Sequence, residues 1–346
     1  MLCESLGDPL ANPGAVHIDG QAAKSKLERA RRTLRKALAP GRVVFTSGAT
    51  EANNIVLGSL RPESIVLASR LEHPSVVAPV EWAETQGVEV RWIPNDSEGR
   101  IDLGWVQSQL KRGDVDLLTL MAANNELGTL NPVDEIAASC LSAGVPLHVD
   151  AVQAFGRTSW KPAIGVTSAT ISAHKLGGPV GIGALWLAKD AEVVPLVRGG
   201  HQERGTRPGT ENVFWAMGFA AAVNEQTDWS SSAPPRDRFE ELLIDELGVE
   251  LNASSGPRLP NTSNISFPGI VGEELLMALD LAGLACSAGS ACTAGSIDIS
   301  PVLIALGVGD ERAASSLRFS FGPEHSLSDA NEAAELVIST LRRLRG

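Results

Sequence analysis

The sequence predicts an α/β fold built on a doubly wound, mainly parallel sheet, and three observations lead to that prediction. Short β-prone segments alternate with helical segments over roughly the first two thirds of the 346 residues. Residues 115–121 are almost all apolar, which is typical of a strand buried on both faces of a sheet. Polar residues follow one strand after another, at the sheet edge where such folds bind ligands.

The individual elements are predicted from apolar periodicity and from residues that begin or end helices. Residues 21–38 place apolar side chains on one helix face, at positions 23, 27, 30, 34 and 38. Asn131-Pro132 and Ser328 are typical of helix starts, whereas 230–235, rich in Ser and Pro, is typical of a linker. The predicted helices are 21–38, 51–60, 75–86, 102–111, one beginning at 131, 211–223, 238–247, 272–281 and 328–344. The predicted strands are 43–46, 64–68, 88–93, 115–121, 145–149, 169–172, 264–267 and 317–321.

Composition and charge exclude several classes of function. The net charge of -12 argues against a nucleic-acid partner, whose backbone requires a basic face. No apolar run approaches the roughly 20 residues of a membrane span, and the start of the chain lacks the features of a signal peptide. The cysteines, at positions 3, 140, 286 and 292, have neither zinc-ligand spacing nor the density of a disulfide framework. We therefore expect a cytoplasmic protein that binds no nucleic acid, membrane or metal.

The stretch 168–183, S-A-T-I-S-A-H-K-L-G-G-P-V-G-I-G, holds the first candidate catalytic residue. A short strand leads into Ser172, His174 and Lys175, and glycines follow. A lone lysine is usually a solvated surface charge. A lysine surrounded by Ser, His and Gly is instead a candidate Schiff-base former, because desolvation frees its amine as a nucleophile.

Five polar groups end successive strands and are predicted to converge on one crevice. The first joins a strand to a helix N-terminus, whose N–H groups and dipole favour an anion, although a simply capped helix is an equal alternative. The groups are residues 47–50, His73, Asn125, Asp150 with Gln153, and Ser172 with His174 and Lys175.

These groups match the needs of an aldehyde cofactor, pyridoxal 5'-phosphate, carried by Lys175. Asp150 suits the carboxylate that keeps the pyridine nitrogen protonated, and His73 is the candidate for the ring face. Arg318 is the candidate for a bidentate contact to an amino-acid carboxylate. The candidates for the phosphate are Thr50, Ser172 and His174, and those for the phenolic oxygen are Asn125 and Gln153.

Cys292 lies in S-A-G-S-A-C-T-A-G, residues 287–295, a segment of small residues that core packing explains poorly. We interpret Cys292 as a nucleophile, with an incidental thiol as the alternative. Cys140 and Cys286 are interpreted as buried thiols, and a role of Cys286 as a resolving partner for Cys292 stays open.

Eight motifs occur in order between about residue 12 and residue 322. They are F-T-S-G-A-T-E-A-N-N at 45–54, E-H-P-S-V at 72–76, A-N-N-E-L-G at 123–128, H-V-D-A-V-Q-A-F-G at 148–156, S-A-H-K-L-G-G-P at 172–179, R-P-G-T-E-N at 207–212, S-A-G-S-A-C-T-A-G at 287–295 and S-L-R-F-S-F-G at 316–322. Together they make the chain resemble the cysteine desulfurases of the NifS/IscS type, in the class V aminotransferase group of fold-type I pyridoxal phosphate enzymes. The loop with A-G-S-A-C at 288–292 is of the S-G-S-A-C type and resembles that of the NifS/IscS branch rather than the SufS branch.

The resemblance implies a large domain, 16–225, with a mainly parallel seven-stranded sheet flanked by helices, and a smaller α+β domain formed by 1–15 and 226–346. It implies a homodimer that removes sulfur from L-cysteine, leaving L-alanine and a persulfide on Cys292 for a sulfur-acceptor protein in iron–sulfur cluster assembly or thiolation. The roles that it implies are catalytic for Lys175, Cys292 and His73, cofactor-binding for Ala49, Thr50, His73, Asn125, Asp150, Gln153, Ser172, His174, Lys175 and Thr210, and substrate-binding for Asn12 and Arg318. Thr210 would reach the phosphate of the neighbouring subunit.

The chain departs from the family pattern near its start and near its end, and each departure leads to an expectation. Relatives usually begin with a Y-L-D-x-x-A-T-T-like segment, whereas Met1 here lies only eleven residues before Asn12. We expect reduced activity, affinity or stability, or a partner that fills the gap. Only 28 residues follow Arg318, which argues against docking of the usual iron–sulfur scaffold.

Three alternatives stay open on the sequence alone: a selenocysteine lyase, another class V aminotransferase, and a truncated homologue that binds a sulfur-carrier partner with little turnover. The joint presence of Lys175, Asp150 and Cys292 argues against the last. A generic nucleotide-binding domain is disfavoured, because no phosphate-loop or dinucleotide fingerprint follows a strand.

Overall fold

A computed structural model describes residues 11–225, 227–288 and 299–346. These residues divide into two compact units. The first contains 11–93, 103–122 and 132–225, and the second contains 94–102, 123–131, 227–288 and 299–346. The domain limits expected from the sequence differ from this division at 11–15, 94–102 and 123–131.

A seven-stranded sheet forms the centre of the first unit. Its strands are β1 (Arg42–Thr46), β2 (Ile65–Ser69), β3 (Glu89–Ile93), β4 (Leu117–Met121), β5 (Leu147–Asp150), β6 (Ser168–Ser172) and β7 (Gly183–Leu187). The spatial order is β1-β7-β6-β5-β4-β2-β3, with β7 antiparallel to both of its neighbours and the other pairs parallel. All strands except β7 therefore point the same way, and their carboxyl ends share one edge. The predicted fold class is confirmed.

The first unit also contains α-helices. They are α1 (Ile18–Ala37), α2 (Ala49–Leu57), α3 (Pro74–Thr85), α4 (Leu103–Leu110), α5 (Val133–Ala143) and α6 (Val213–Asn224). Every residue of β4, β6 and β7 is buried, as expected for central strands of a sheet covered on both faces.

The connection from β6 to β7 brings the predicted lysine turn close to the N-terminus of α2. Lys175 lies in a short 3₁₀ turn, Ala173–Leu176, which ends at Gly177 with a φ of 77° that favours glycine. At the start of β7, a Cβ on Gly183 would lie 2.6 Å from the carbonyl carbon of Gly48 and 2.9 Å from the nitrogen of Ala49. Only glycine allows the two backbones to approach this closely.

The second unit is built on an antiparallel sheet with the order β10-β11-β9-β8. Its strands are β8 (Glu250–Leu251), β9 (Thr262–Ser266), β10 (Ser287–Ala288) and β11 (Ser316–Ser320). Its helices are α7 (Ala233–Leu247), α8 (Gly272–Leu281), α9 (Pro301–Leu306), α10 (Asp310–Ala314) and α11 (Leu327–Arg345). Phe239 lies at the centre of the core, with ring centroids 4.9 Å from Phe319 and 5.5 Å from Phe321.

The predicted linker at 230–235 is wrong. Residues Trp229–Ser232 form a 3₁₀ turn, and α7 begins directly after it at Ala233. Pro234 and Pro235 fall in the first turn of α7, where a helix does not need their missing N–H groups. Over the described ranges of the chain, no helix is both long enough and apolar enough to cross a membrane.

Candidate active site

Asp150 ends β5 at the shared carboxyl edge and is buried. Its Oδ2 accepts a hydrogen bond of 2.8 Å from Nδ2 of Asn53, and its Oδ1 accepts one of 3.0 Å from the backbone N–H of Val152. Burial raises the pKa of Asp150, while these two hydrogen bonds and the positive form of His73 oppose the rise. The site therefore contains a buried carboxylate that is stabilised by directed donors.

His73 precedes α3 and acts as its N-cap. Its Nδ1 accepts a hydrogen bond of 3.0 Å from the backbone N–H of Ser75. Burial lowers the pKa of His73, Asp150 raises it, and the charge of Lys175 lowers it. Since both charges act on this imidazole, His73, Asp150 and Lys175 lie near one another.

Positive charge gathers around the turn that follows β6. Oγ of the buried Ser172 lies 2.9 Å from Nδ1 of His174, and Nη2 of Arg157 donates a hydrogen bond of 3.0 Å to the carbonyl oxygen of Lys175. Burial lowers the pKa of His174, and the charges of Lys175 and Arg157 lower it further. Gln153 accepts a hydrogen bond from Arg157 through Oε1. An anion bound here would relieve the repulsion among these cations.

The N-terminus of α2 suits such an anion. Gly48 precedes the helix and provides no side-chain cap, so the first helical turn, with Ala49 and the exposed Thr50, is not covered by a capping side chain. Glu51 instead accepts a hydrogen bond of 2.5 Å from the backbone N–H of Ser47 and pairs with Arg207 at 2.9 Å. An uncapped helix start beside a cationic turn fits a phosphate group, and Asp150 with His73 fits a protonated pyridine ring.

A cavity of about 480 Å³ within the first unit shares Thr50 and His73 with this site. The rest of its wall is mainly apolar and includes Leu57, Trp82 and Leu196, but neither Asp150 nor Lys175. This cavity therefore includes only two of the polar groups described above.

Arg318 lies on β11 in the second unit. Its Nη1 donates a hydrogen bond of 2.9 Å to the carbonyl oxygen of Asn125, and its Nη2 donates one of 3.2 Å to Oγ of Ser287. Within the part of the chain that the structure describes, buried Nε of Arg318 and Oδ1 of Asn125 have no hydrogen-bond partner. Burial lowers the pKa of Arg318, and Glu126 opposes this. The guanidinium thus keeps a donor available for a carboxylate ligand.

The other predicted residues are less informative. Oδ1 of the exposed Asn12 accepts a hydrogen bond of 2.9 Å from the N–H of Gly14, and Thr210 is exposed. Cys292 lies outside the described residues. Cys140 is fully buried and Cys286 is half-buried, and burial raises the pKa of each thiol to about 12. The roles given to Asn12, Thr210 and Cys292 stay predictions.

Several polar residues at the site were not predicted from the sequence. Asn53, Ser75 and His148 form a buried chain of hydrogen bonds behind Asp150 and His73. No periodic pattern marks these three residues, although each of them falls inside one of the quoted motifs. Among the residues that the structure describes, no group of three or more His, Cys, Asp or Glu is arranged to hold a metal ion.

The fold and these groups define an α/β enzyme with its site at the carboxyl edge of a mainly parallel sheet. The family model described as Aminotransferase class-V matches residues 5–332. The chain is 36% identical over 353 residues to "Cysteine desulfurase IscS 1" of Archaeoglobus fulgidus, covering 98% of this chain and 92% of that protein. It is also 36% identical over 356 residues to the "IscS-like cysteine desulfurase" of Mycobacterium tuberculosis, covering 97% and 91%.

The same relationship is found among solved structures. The NifS-like protein from Rickettsia africae superposes with a TM-score of 0.89 at 28% identity, covering 99% of this chain and 94% of that one. The chain therefore belongs to the class-V aminotransferase family. The predicted resemblance to the NifS/IscS-type cysteine desulfurases is confirmed.

Proposed function

We propose that this protein is a cysteine desulfurase that uses pyridoxal 5'-phosphate to convert L-cysteine into L-alanine and a persulfide on Cys292. One observation carries the proposal: His73, Asp150 and Lys175 lie close enough that, besides burial, the charges of the latter two act on the pKa of the imidazole, Asp150 raising it and Lys175 lowering it. The names of the relatives at 36% identity support the same activity. An ordinary surface lysine would not explain this arrangement.

Each of the polar groups described above is assigned to a part of the cofactor. The N-terminus of α2, with Ala49 and Thr50, and the pair Ser172 and His174 suit the phosphate. Asp150 is proposed as the partner of the pyridine nitrogen. We assign His73 to the ring face, Lys175 to the aldehyde carbon, and Gln153 with Asn125 to the phenolic oxygen.

When bound, the cofactor supplies an aldehyde that takes up the substrate amine and a ring that accepts the electrons left at Cα. Asp150, which accepts hydrogen bonds from Asn53 and Val152, would hold a proton on the ring nitrogen. The amine of Lys175 removes the Cα proton of the substrate. Arg318 holds the substrate carboxylate through its guanidinium.

Sulfur transfer completes the proposed reaction. The thiolate of Cys292 attacks the substrate sulfur, so that an S–S bond forms while the Cβ–S bond breaks. L-cysteine and the Cys292 thiol thus become L-alanine and a persulfide, and no external oxidant or reductant is required. An acceptor protein then takes the sulfane sulfur.

The assembly that we propose is a homodimer in which Thr210 contributes to the neighbouring site. The exposure of Thr210 in the single chain agrees with this assignment. The free thiols of Cys140 and Cys286 agree with a reducing cytoplasm.

The test is to incubate the purified protein with pyridoxal phosphate and L-cysteine, and to measure alanine and protein-bound sulfane sulfur together. We expect the two products in equal amounts in the first turnover. The Cys292→Ser variant should keep the cofactor absorbance and form no sulfane sulfur, whereas the matched variant Cys286→Ala should form both products. Full activity of Cys292→Ser would refute the proposed nucleophile, and turnover of selenocysteine alone would favour a selenocysteine lyase.

A further inference from the structure

A buried asparagine connects two residues of the site within the first unit. Nδ2 of Asn53 lies 2.8 Å from Oδ2 of Asp150 and 2.9 Å from Oγ of Ser75. Its Oδ1 lies 3.0 Å from Nε2 of His148. Since Asn53 and His148 are both 0% exposed, water cannot replace any of these partners.

The orientation of the Asn53 amide follows from the rules for donors and acceptors. An ionised carboxylate only accepts hydrogen bonds, so the NH₂ group must face Asp150. The amide oxygen then faces His148, which must carry its proton on Nε2. Nδ1 of His148 lies 2.8 Å from the hydroxyl of Ser168 and accepts its hydrogen. Burial lowers the pKa of His148 to about 3, so the ring is neutral, as this pattern requires.

The proton of His73 is fixed by a second and independent feature. Nδ1 of His73 accepts the backbone N–H of Ser75 at 3.0 Å, and a backbone N–H can only donate. Nδ1 therefore carries no proton. The hydroxyl of Ser75 accepts one amide hydrogen from Asn53 and directs its own hydrogen to the same Nδ1, 2.8 Å away. The proton of neutral His73 is thus on Nε2.

We propose that Asn53 is a positioning residue that couples the ionised state of Asp150 to the tautomer of His73, and its link to catalysis rests on the proposed function. One amide hydrogen of Asn53 stabilises the carboxylate of Asp150. The other turns the hydroxyl of Ser75 towards Nδ1 of His73. Neutral His73 then presents its Nε2–H as a hydrogen-bond donor, and it takes up a second proton, on Nδ1, only by breaking its cap to Ser75.

Nitrogen NMR of the full-length protein labelled with ¹⁵N-histidine tests this coupling directly. The signals of His73 are assigned by their loss in His73→Gln. In the wild-type protein near neutral pH, we expect Nε2 to carry the proton and Nδ1 to be unprotonated, with and without the cofactor. Asn53→Asp places two buried carboxyl groups at hydrogen-bond distance, so that they share one proton, and Ser75 loses the NH₂ group that orients its hydroxyl. The Nδ1 signal of His73 should therefore shift.

Two further variants separate this coupling from general destabilisation. Ser75→Ala removes only the hydroxyl, is the milder change, and should shift the Nδ1 signal of His73 in a folded protein. Asn252→Asp makes the same chemical change at another buried asparagine, in the second unit, whose Nδ2 donates to Asn264, Ser266 and Ser316. It should lower the melting temperature and leave the His73 signals unchanged.

The coupling is overturned if wild-type His73 carries its proton on Nδ1, or if neither Asn53→Asp nor Ser75→Ala changes its signals. In the active enzyme, Asn53→Asp should lower kcat roughly ten- to hundredfold with little change in KM, as for loss of a hydrogen bond to a charged group. A protein that lacks desulfurase activity but shows the expected histidine signals would contradict the proposed function alone.

Discussion

The hydroxyl of Ser300 donates a hydrogen bond of 2.5 Å to Oε2 of Glu126, and both side chains are buried in the second unit. Burial raises the pKa of Glu126 to about 7, although Ser300 and the charge of Arg318 oppose the rise. A buried carboxyl group that titrates near neutral pH therefore lies close to the proposed substrate anchor.

Glu126 should make the stability of the apoprotein fall between about pH 5 and pH 7. A raised pKa in the folded state means that the folded protein holds a proton that the unfolded chain has already lost. Stability from this group is thus complete below pH 4.5 and is lost as the pH rises through 7, by up to roughly 1.4 kcal/mol per unit. Glu126→Gln, which keeps an acceptor for Ser300, should raise the free energy of unfolding in urea at pH 8 more than at pH 5. Equal effects at both pH values, or the same pattern in the exposed control Glu335→Gln, would contradict this.

His148 should act in the opposite direction, below neutral pH. Its folded-state pKa of about 3 lies below the ordinary value of 6.5, so the unfolded chain takes up a proton first as the pH falls. Wild-type protein should lose stability from this group as the pH falls below 6.5, whereas His148→Gln should lack that loss. The gap in the free energy of unfolding between the two proteins should therefore narrow from pH 7 to pH 4.5. A constant difference in the free energy of unfolding would show that His148 is not held neutral. His201→Gln, at an exposed histidine, serves as the control variant.

Arg318 should determine affinity for the substrate and not for the cofactor. Nη1 and Nη2 are held by Asn125 and Ser287, which orients the guanidinium and leaves Nε as a donor. Lysine keeps the positive charge but lacks the planar guanidinium and its paired N–H donors. Arg318→Lys should therefore lower kcat/KM for L-cysteine by roughly tenfold to a hundredfold. Cofactor absorbance should stay unchanged, and the exposed-site variant Arg343→Lys should behave as wild type. Loss of cofactor from Arg318→Lys would be evidence against the assignment.

The segment that carries Thr210 is held to the first unit by a buried ion pair. Nη1 and Nη2 of Arg31, on α1, donate to the Glu203 carboxylate at 2.5 and 3.0 Å, and the Glu203 side chain is only 2% exposed. Removing one partner of a buried pair typically costs about 3–5 kcal/mol, because the other charge is left unpaired. Arg31→Met should therefore destabilise the protein more than the double variant Arg31→Met/Glu203→Gln does. Urea unfolding of both variants decides this, and a double variant that is the less stable of the two would refute it.

Much of the fold could be predicted because local patterns and the tertiary structure agree. The helix 272–281 was predicted with the limits of α8, and residues 115–121 contain β4, since their apolar sequence is also the one that a central strand requires. β7 (G-A-L-W-L) was not predicted, because it follows a glycine-rich turn that is typical of a loop. The segment forms a strand only through pairing with β1 and β6. The linker at 230–235 was wrong because prolines that suggest a break also fit a first helical turn.

Site residues could be predicted from the sequence only where they lie close together in a motif or at the end of a strand. Lys175, His174 and Ser172 lie within four residues, and Asp150 ends a recognisable strand, so their proximity followed from topology. The partners of Asp150 and His73 could not be predicted in this way. Asn53 reaches Asp150 across 97 positions of sequence, and His148 reaches Asn53 across 95. Contacts of this kind exist only once the sheet and α2 are assembled.

The central claim is that Lys175 carries the cofactor, and borohydride reduction tests it most directly. The holoenzyme is treated with borohydride, digested, and analysed for the peptide that carries the reduced pyridoxyl group. We expect the label on the peptide containing Lys175, and none in Lys175→Arg protein treated in the same way. A holoenzyme that is labelled on another lysine, or that releases all of its cofactor after reduction, would contradict the account.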